Sequence, residues 1–391
     1  MASRVAFLLA LVIAVGLITF GCVSGLAPIG WSGGTVSDGT LYVGSQYGQL
    51  VAVNLSNDSR LVSEALVPVS QPGLFGCGMA TGGGGGCAAG SASVPVYGTP
   101  VVSGNLTYIA GYNGKVYAYN TTNLAVRWVY PREGNLSSIV GGVVVGDGMV
   151  FFGCSDGKVY ALDAEVGDKL WESEATGDKI WGTPVFLSQF VSHGSDGSTN
   201  ESKLFVGSFD KKVYALNPYD GSVEWEYATE GSVIAEPLIF NSTVYVGSFD
   251  RNLYAIRSSD GALKWKFTGG NWFWAQPVVW NGVIYAGCLD GFVYALNADT
   301  GVEVHRFDLG NAVSSQPVIV EGSVIFANRK GVVYSIDTGT NGIRQLADLK
   351  KTVNGPLAAN GEIVYIHTEE NALQRINAVT GALLSPIYLS S

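Results

Sequence analysis

With 391 residues, 14% of them charged, and a formal net charge of -10, the chain lacks the basic surface that a nucleic-acid or anionic-lipid partner would need, and Lys and Arg nowhere cluster. Length alone would suit two to three domains, but so low a charged fraction means that much of the strand surface is buried. Five cysteines are too few for a disulfide scaffold.

Met1 to Arg4 followed by the apolar run Val5 to Phe20 reads as the basic and hydrophobic regions of a secretory signal, so export to the cell envelope is expected. Gly21-Cys22 closes that run and suggests lipidation of Cys22. An uncleaved N-terminal membrane anchor, close to the minimum spanning length, is the alternative. Residues 1–22 are thus assigned to export or anchoring and 23–391 to the folded body, which meets the membrane only through that anchor.

From about residue 33 a single unit recurs, seen most clearly in Val150 to Trp171, VFFGCSDGKVYALDAEVGDKLW. An apolar strand runs into Ser155-Asp156-Gly157, turn chemistry with a residue able to take positive φ, and a second strand follows. Another turn, Glu165 to Asp168, leads to a third strand carrying Trp171. Gly48, Gly114, Gly157, Lys211, Arg251, Gly291, Gly331 and Asn371 hold equivalent turn positions, eight copies in all, the last five separated by 40 residues each. That period is the length of a four-stranded propeller blade. A further strand precedes each hairpin, marked by Pro100, Pro184, Pro237, Pro277 and Pro317. Proline cannot donate to a ladder and so suits the innermost strand, whose free edge lines a central channel. The fold class expected is all-β, an eight-bladed propeller of four-stranded antiparallel blades.

Two insertions interrupt the series, one near 70–95, Gly-rich around Gly82 to Gly86, and one near 188–202 that includes His193. They are expected on opposite faces. Cys77 and Cys87 flank the Gly run and are natural disulfide partners in an oxidising compartment, whereas Cys154 and Cys288, in blades far apart, are expected as buried thiols. Sequons begin at Asn54, Asn57, Asn105, Asn120, Asn135, Asn200 and Asn241, mostly in turns, and fit either surface glycosylation or plain turn composition. The chain starts with an inner strand and ends with an outer one, so ring closure should rest on side-chain packing unless Leu26 to Trp31 adds a strand.

Ala161 to Trp171, ALDAEVGDKLW, resembles the tryptophan-docking motif of pyrroloquinoline-quinone (PQQ) repeats, in which the Trp packs on the next blade. Trp225 and Trp265 close similar segments, and Trp128 does so with Leu124 in place of the Gly. Val62, His305, Gln345 and Ser385 replace the Trp elsewhere, which leaves docking open at those four seams. The resemblance implies one of two functions. One branch of the family, of BamB type, is a non-enzymatic lipoprotein scaffold of outer-membrane protein assembly, with an envelope protein as partner and no cofactor. The other comprises quinoprotein dehydrogenases, which hold PQQ and calcium in the channel.

Candidate chemistry is sparse. The alcohol branch of those dehydrogenases uses adjacent cysteines, and this chain has no Cys-Cys pair. Glu236 is the only carboxylate at the inner-strand Pro register, and a calcium site needs several oxygen ligands, so Glu236 reads first as a hydrogen-bonded inner-strand residue. His193, His305 and His367 occupy unlike positions and do not suggest a zinc site. Asp156, Asp210, Asp250 and Asp290 recur in equivalent turns, where backbone hydrogen bonding accounts for them. Tyr97, Trp181 and Trp274, each three residues before an inner-strand Pro, together with Trp272 and Phe273, form a possible aromatic rim at the channel mouth. Such a rim either packs between blades, or stacks a glycan or planar ligand, or anchors a partner. The sequence therefore supports an envelope scaffold first, a PQQ enzyme second and a rim-bound ligand third, with the partner expected on the face of the hairpin turns and the Gly-rich insertion.

Overall fold

The structure, a computed structural model, describes residues 30–66, 94–188, 190–192 and 198–389. The export segment, Cys22, Cys77, Cys87, His193 and most of the Gly-rich insertion lie outside them. Every regular element among the described residues is a β-strand. Eight sheets of four sequential antiparallel strands follow one another along the chain, from Gly34–Ser37, Thr40–Gly44, Leu50–Asn54 and Arg60–Val62 in blade 1 to Ala358–Asn360, Ile363–Thr368, Ala372–Asn377 and Leu383–Tyr388 in blade 8. Blade 2 spans 101–130, blade 3 143–172, blade 4 185–228, blade 5 238–268, blade 6 278–308 and blade 7 318–348. First strands touch from blade 1 through blade 5 and between blades 7 and 8, and the first strand of blade 1 touches those of both blade 2 and blade 8, which closes an eight-bladed propeller.

All eight predicted turn anchors have positive φ, from 54° at Asn371 to 98° at Gly291, with Lys211 and Arg251 both at 74°. The left-handed turn, not glycine as such, is what the repeat preserves. In four blades the recurring Asp locks that turn. Asp156 accepts from the Lys158 amide and the Tyr160 hydroxyl at 3.0 and 2.8 Å, and Asp210, Asp250 and Asp290 bind Tyr214, Tyr254 and Tyr294 in the same way. The last three also accept an amide from the incoming connection, at Gly177, Glu230 and Gly270. These hydrogen bonds give each Asp of the acidic arc a role in the fold.

The core sits between blades. Each sheet is apolar on both faces, and the buried clusters pair neighbours, for example Tyr108, Val116 and Trp128 with Val143, Phe152 and Leu162 across the seam of blades 2 and 3. Four seams carry a docked tryptophan. Trp128, Trp171, Trp225 and Trp265 each donate an indole N–H to a carbonyl of the next blade, at Ala164, Pro218, Ser258 and Ala298, at 2.9 to 3.0 Å. The ring lies on a positive-φ glycine of that blade, and a Cβ added to Gly167 would come within 2.5 Å of Trp128. At three of the four seams that lack the Trp the receiving position is no longer glycine but Leu124, Asn341 or Asp58, while Gly381 persists opposite the Gln345 blade. Leu124 faces the Val62 blade and Asn341 the His305 blade, each with positive φ, while Arg344 replaces the indole in reaching the carbonyls of Ala378 and Val379.

Among the described residues no strand is swapped across the seam between blades 8 and 1. Leu41, Val43, Val51 and Val53 pack against Ala358, Tyr365, Leu373 and Ile387, as expected of closure by side chains. Polar contacts are added from Arg375 to Asp58 at 2.8 Å, from the Gln46 amide to Asn371 at 3.0 Å, and between His367 Nδ1 and the Ser32 carbonyl at 3.0 Å. Cys154 and Cys288 are buried free thiols, pushed up to about 12 by burial. Asn54, Asn57 and Asn120 use their side-chain oxygens to bind the amide two residues on, so these sequons also serve as turns.

Two predictions follow from the seams. Trp171→Ala removes a buried indole and its hydrogen bond, and should lower unfolding free energy by about 3 kcal/mol in urea titration; a loss below about 1 kcal/mol would show that docking does not hold the seam. Burial holds the His367 pKa below its usual value. The unfolded chain therefore takes up the proton first as pH falls through about 6.5, and the stability this site provides is present above that pH and lost below it. Denaturation of wild type and His367→Leu between pH 5 and 7.5 should show the difference between them changing sharply in that window, and a pH-independent difference would refute the assignment.

Candidate functional site

Eight inner strands converge on the channel, and the residues just before them stack in two rings. The upper ring holds Trp31, Tyr97, Val140, Trp181, Ile234, Trp274, Ser314 and Asn354, and the lower holds Thr99, Gly142, Thr183, Glu236, Gln276, Gln316 and Pro356, all lining one cavity of about 150 Å³. Gly33 completes the lower ring, where a Cβ would meet Thr99 Oγ1 at 2.5 Å. Inner strands approach too closely for side chains in the layer between. A Cβ on Gly98 would lie 2.4 Å from the Gly142 Cα, which explains the Gly before each Thr-Pro in blades 2 and 4.

The lower ring is lopsided. Blades 8, 1 and 3 present proline or glycine, whereas blades 4 to 7 present a connected polar arc. Gln316 donates to Gln276 Oε1, and Gln276 donates to Glu236 Oε1 at 3.0 Å and to the Pro237 carbonyl at 2.7 Å. The Gly142 amide donates to Thr183 Oγ1 at 2.8 Å, and the Thr183 hydroxyl bonds Glu236 from the other side. Burial raises Glu236 to about 7, against the opposing pull of the Thr183 and Gln276 hydrogen bonds. This matches the expectation of a hydrogen-bonded inner-strand carboxylate.

Above it the aromatics form two arcs. On one side Trp31 meets Tyr97 edge-on at 4.8 Å, and Tyr97 meets Tyr112 at 5.9 Å. On the other Trp181 meets Phe209 at 4.7 Å, Phe209 meets Phe249 at 6.4 Å, and Phe249 stacks on Trp272 at 4.3 Å and Trp274 at 5.7 Å. Tyr97, Trp181 and Trp274 thus share the mouth, and Trp272 lies beside it. Phe273 does not: it is buried in the seam of blades 5 and 6 against Phe267 and Tyr294. Trp31, Tyr112, Phe209 and Phe249 were missed. The last three sit two residues before a turn anchor, a signal the repeat alignment contains.

The mouth opens on the hairpin-turn face, since the Trp181 indole reaches Ser155 in a turn at 3.1 Å. Both ends of the first insertion meet the same face, where Leu66 donates to the Gly48 carbonyl at 2.7 Å and a Cβ on Gly48 would lie 2.5 Å from the Val94 carbonyl. The second insertion forms a small hairpin, Phe190–Ser192 with Ser198–Asn200, between the first two strands of blade 4 and hence at the other end of the propeller.

A quinone with three carboxylates, held through calcium, does not fit this donor set. The cavity lining offers a single carboxylate and no Lys or Arg, and no group of three His, Cys, Asp or Glu able to hold a metal occurs among the described residues.

Comparison with known proteins agrees with the fold and divides on function. Residues 23–176 and 173–384 match the family model described as outer membrane protein assembly factor BamB. BamB of Yersinia pestis is 33% identical over 96 residues, 24% of this chain and 23% of that protein. A lanthanide-dependent methanol dehydrogenase of Methylacidiphilum fumariolicum is 26% identical over 184 residues, 43% of this chain and 27% of that one. The matched segments therefore span about a quarter of these relatives. Among solved structures, BamB from Moraxella catarrhalis superposes with a TM-score of 0.61 at 19% identity, over 74% of this chain and 87% of that one, and the computationally designed Ika8 protein with 0.65 at 15%, over 88% and 94%.

A raised carboxylate pKa gives a signed prediction. Folded Glu236 keeps its proton up to about 7, whereas the unfolded chain loses it near 4.3, so this site's stability is full below about 4.3 and falls as pH rises to 7. Glu236→Gln, which puts at blade 5 the residue blades 6 and 7 already carry, should be more stable than wild type at pH 8 and equal to it near pH 4.5. A gap of the same size at both values would mean that Glu236 ionises normally. With its eight PQQ-like blades and a family match running from residue 23 to residue 384, the chain belongs to the BamB family of β-propellers.

Proposed function

We propose that this propeller is a non-enzymatic scaffold of the cell envelope that holds a protein partner against its mouth face. The observation that carries the reading is the aromatic arc of Phe209, Phe249, Trp272 and Trp274, left partly exposed among the hairpin turns. Aromatic side chains that lose water at the centre of an interface are the usual energetic anchors, and turns on a rigid ring are free to vary around them. Similarity to BamB supports an envelope protein as the partner, and Met1 to Cys22 would deliver the chain there by export, with lipidation of Cys22 or an uncleaved anchor holding it at the membrane.

The dehydrogenase relatives keep a quinoprotein as the second reading. The lone, uncompensated carboxylate and the absence of a cation from the cavity lining weigh against it.

Two measurements decide. Purified protein offered PQQ and calcium should show no quinone absorbance and no alcohol or sugar oxidation, and stoichiometric binding with turnover would make it an enzyme. A photo-crosslinking residue placed at Trp272 should capture an envelope protein in cells, while one at Tyr219 near the opposite end should not. The reverse pattern would put the interface on the wrong face.

A further inference from the structure

We infer that the mouth cavity is a binding site for an alkylammonium group, with Glu236 as its counter-charge and the indole and phenol rings of the upper ring as its walls. The inference is independent of the scaffold reading, since it concerns a pocket and not the surface around it.

The direction of the hydrogen bonds makes the argument. In the polar arc the side-chain amide bonds run along the ring: Gln316 gives to Gln276, and Gln276 gives to Glu236 and to the Pro237 carbonyl. Thr183 closes the other end by donating to Glu236. Both amide hydrogens of Gln276 are thus consumed within the protein, and ionised Glu236, an acceptor only, keeps lone pairs for a donor in the cavity. Ser314 Oγ, a buried atom lining the same cavity, has no hydrogen-bond partner among the described residues. A buried carboxylate is normally paired with a cation, yet neither Lys nor Arg lines this space.

Size and wall chemistry then select among cations. A metal ion needs several oxygen ligands and would find one carboxylate. Trp31, Tyr97, Trp181 and Trp274, brought from blades 1, 2, 4 and 6, instead offer aromatic surface, which attracts a poorly hydrated organic cation through the ring quadrupole. A cavity of about 150 Å³ admits one such headgroup and excludes bulky ligands. Anions are disfavoured by Glu236 itself. Tyr97 is the other titratable group in the lining, and with its pKa pushed up to about 12 by burial it stays neutral.

The test is calorimetric titration of the folded protein with tetramethylammonium and with n-butylammonium, in parallel with glucose as a neutral control. At least one of the cations should bind saturably, with Trp fluorescence changing in step, and glucose should not. A preference for tetramethylammonium identifies a quaternary small molecule as the natural source, and a preference for n-butylammonium a primary amine such as a lysine side chain. Because the cation stabilises ionised Glu236, affinity should rise about tenfold between pH 6 and 8 in wild type and stay flat in Glu236→Gln, which should bind at least tenfold more weakly at pH 8. Trp274→Ala should weaken binding to a similar extent while leaving the Glu236-dependent slope in place. Absence of saturable binding of both cations at millimolar concentration, equal affinity in Glu236→Gln, or binding of glucose in their place would overturn the assignment.

Discussion

Each blade is apolar on both faces, so none of the eight can be covered except by its neighbours. That requirement makes the seam the unit of stability, and the indole laid on a left-handed turn is its most specific form. The ring needs a flat place with no Cβ and a carbonyl to receive its N–H, and both come from one short turn of the following blade: Gly221 and Pro218 for Trp171, Gly301 and Ala298 for Trp265. Position along the chain and position in space are thus locked by the same contact. From blade 2 to blade 6 this acts as a directional latch, each blade holding the next.

The latch also explains where the repeat may decay. A blade that loses its Trp frees the next blade from keeping Gly, and Leu124 and Asn341 occupy such released positions while retaining positive φ. Seams without an indole recover cohesion through other chemistry, through Arg344 on the carbonyls of blade 8 or Arg375 on Asp58 of blade 1. Closure at blades 8 and 1 combines an apolar cluster with a buried imidazole, whose Nε2 has no hydrogen-bond partner among the described residues. A buried group of that kind is a cost carried by the fold, and it falls at the seam where the two ends of the ring meet.

How much of this could be read from the sequence depended on what each residue answers to. Blade number, turn anchors and the docking Trp answer to local geometry repeated eight times, so they stand out by period alone. The pairing of a missing Trp with a missing Gly, which holds at three of the four such seams, was harder, because the partners are one blade apart and belong to different copies of the motif. Tyr97, Trp181 and Trp274 were found by counting back from an inner-strand Pro. Trp31 was not, because blade 1 has Gly34 at that register, and in blade 8 Pro356 stands one residue early with Leu357 in its place. Phe273 was grouped with the rim because it adjoins Trp272 and Trp274, yet alternation along an extended segment turns the middle residue to the other side, into the seam.

The channel is the one place where all eight copies must meet, and there a repeat cannot remain a repeat. Equivalent side chains of any size from eight blades would collide at the axis, so the lower ring divides the space unequally, with glycine or proline from blades 8, 1 and 3 yielding room to Glu and Gln from blades 5 to 7. Unequal filling leaves an off-centre cavity with one polar wall. Once the arc of amides is polarised toward a single carboxylate, that wall has a sign. Asymmetry forced by packing at the axis of a symmetric ring is therefore what gives this propeller a place where chemistry can differ from blade to blade.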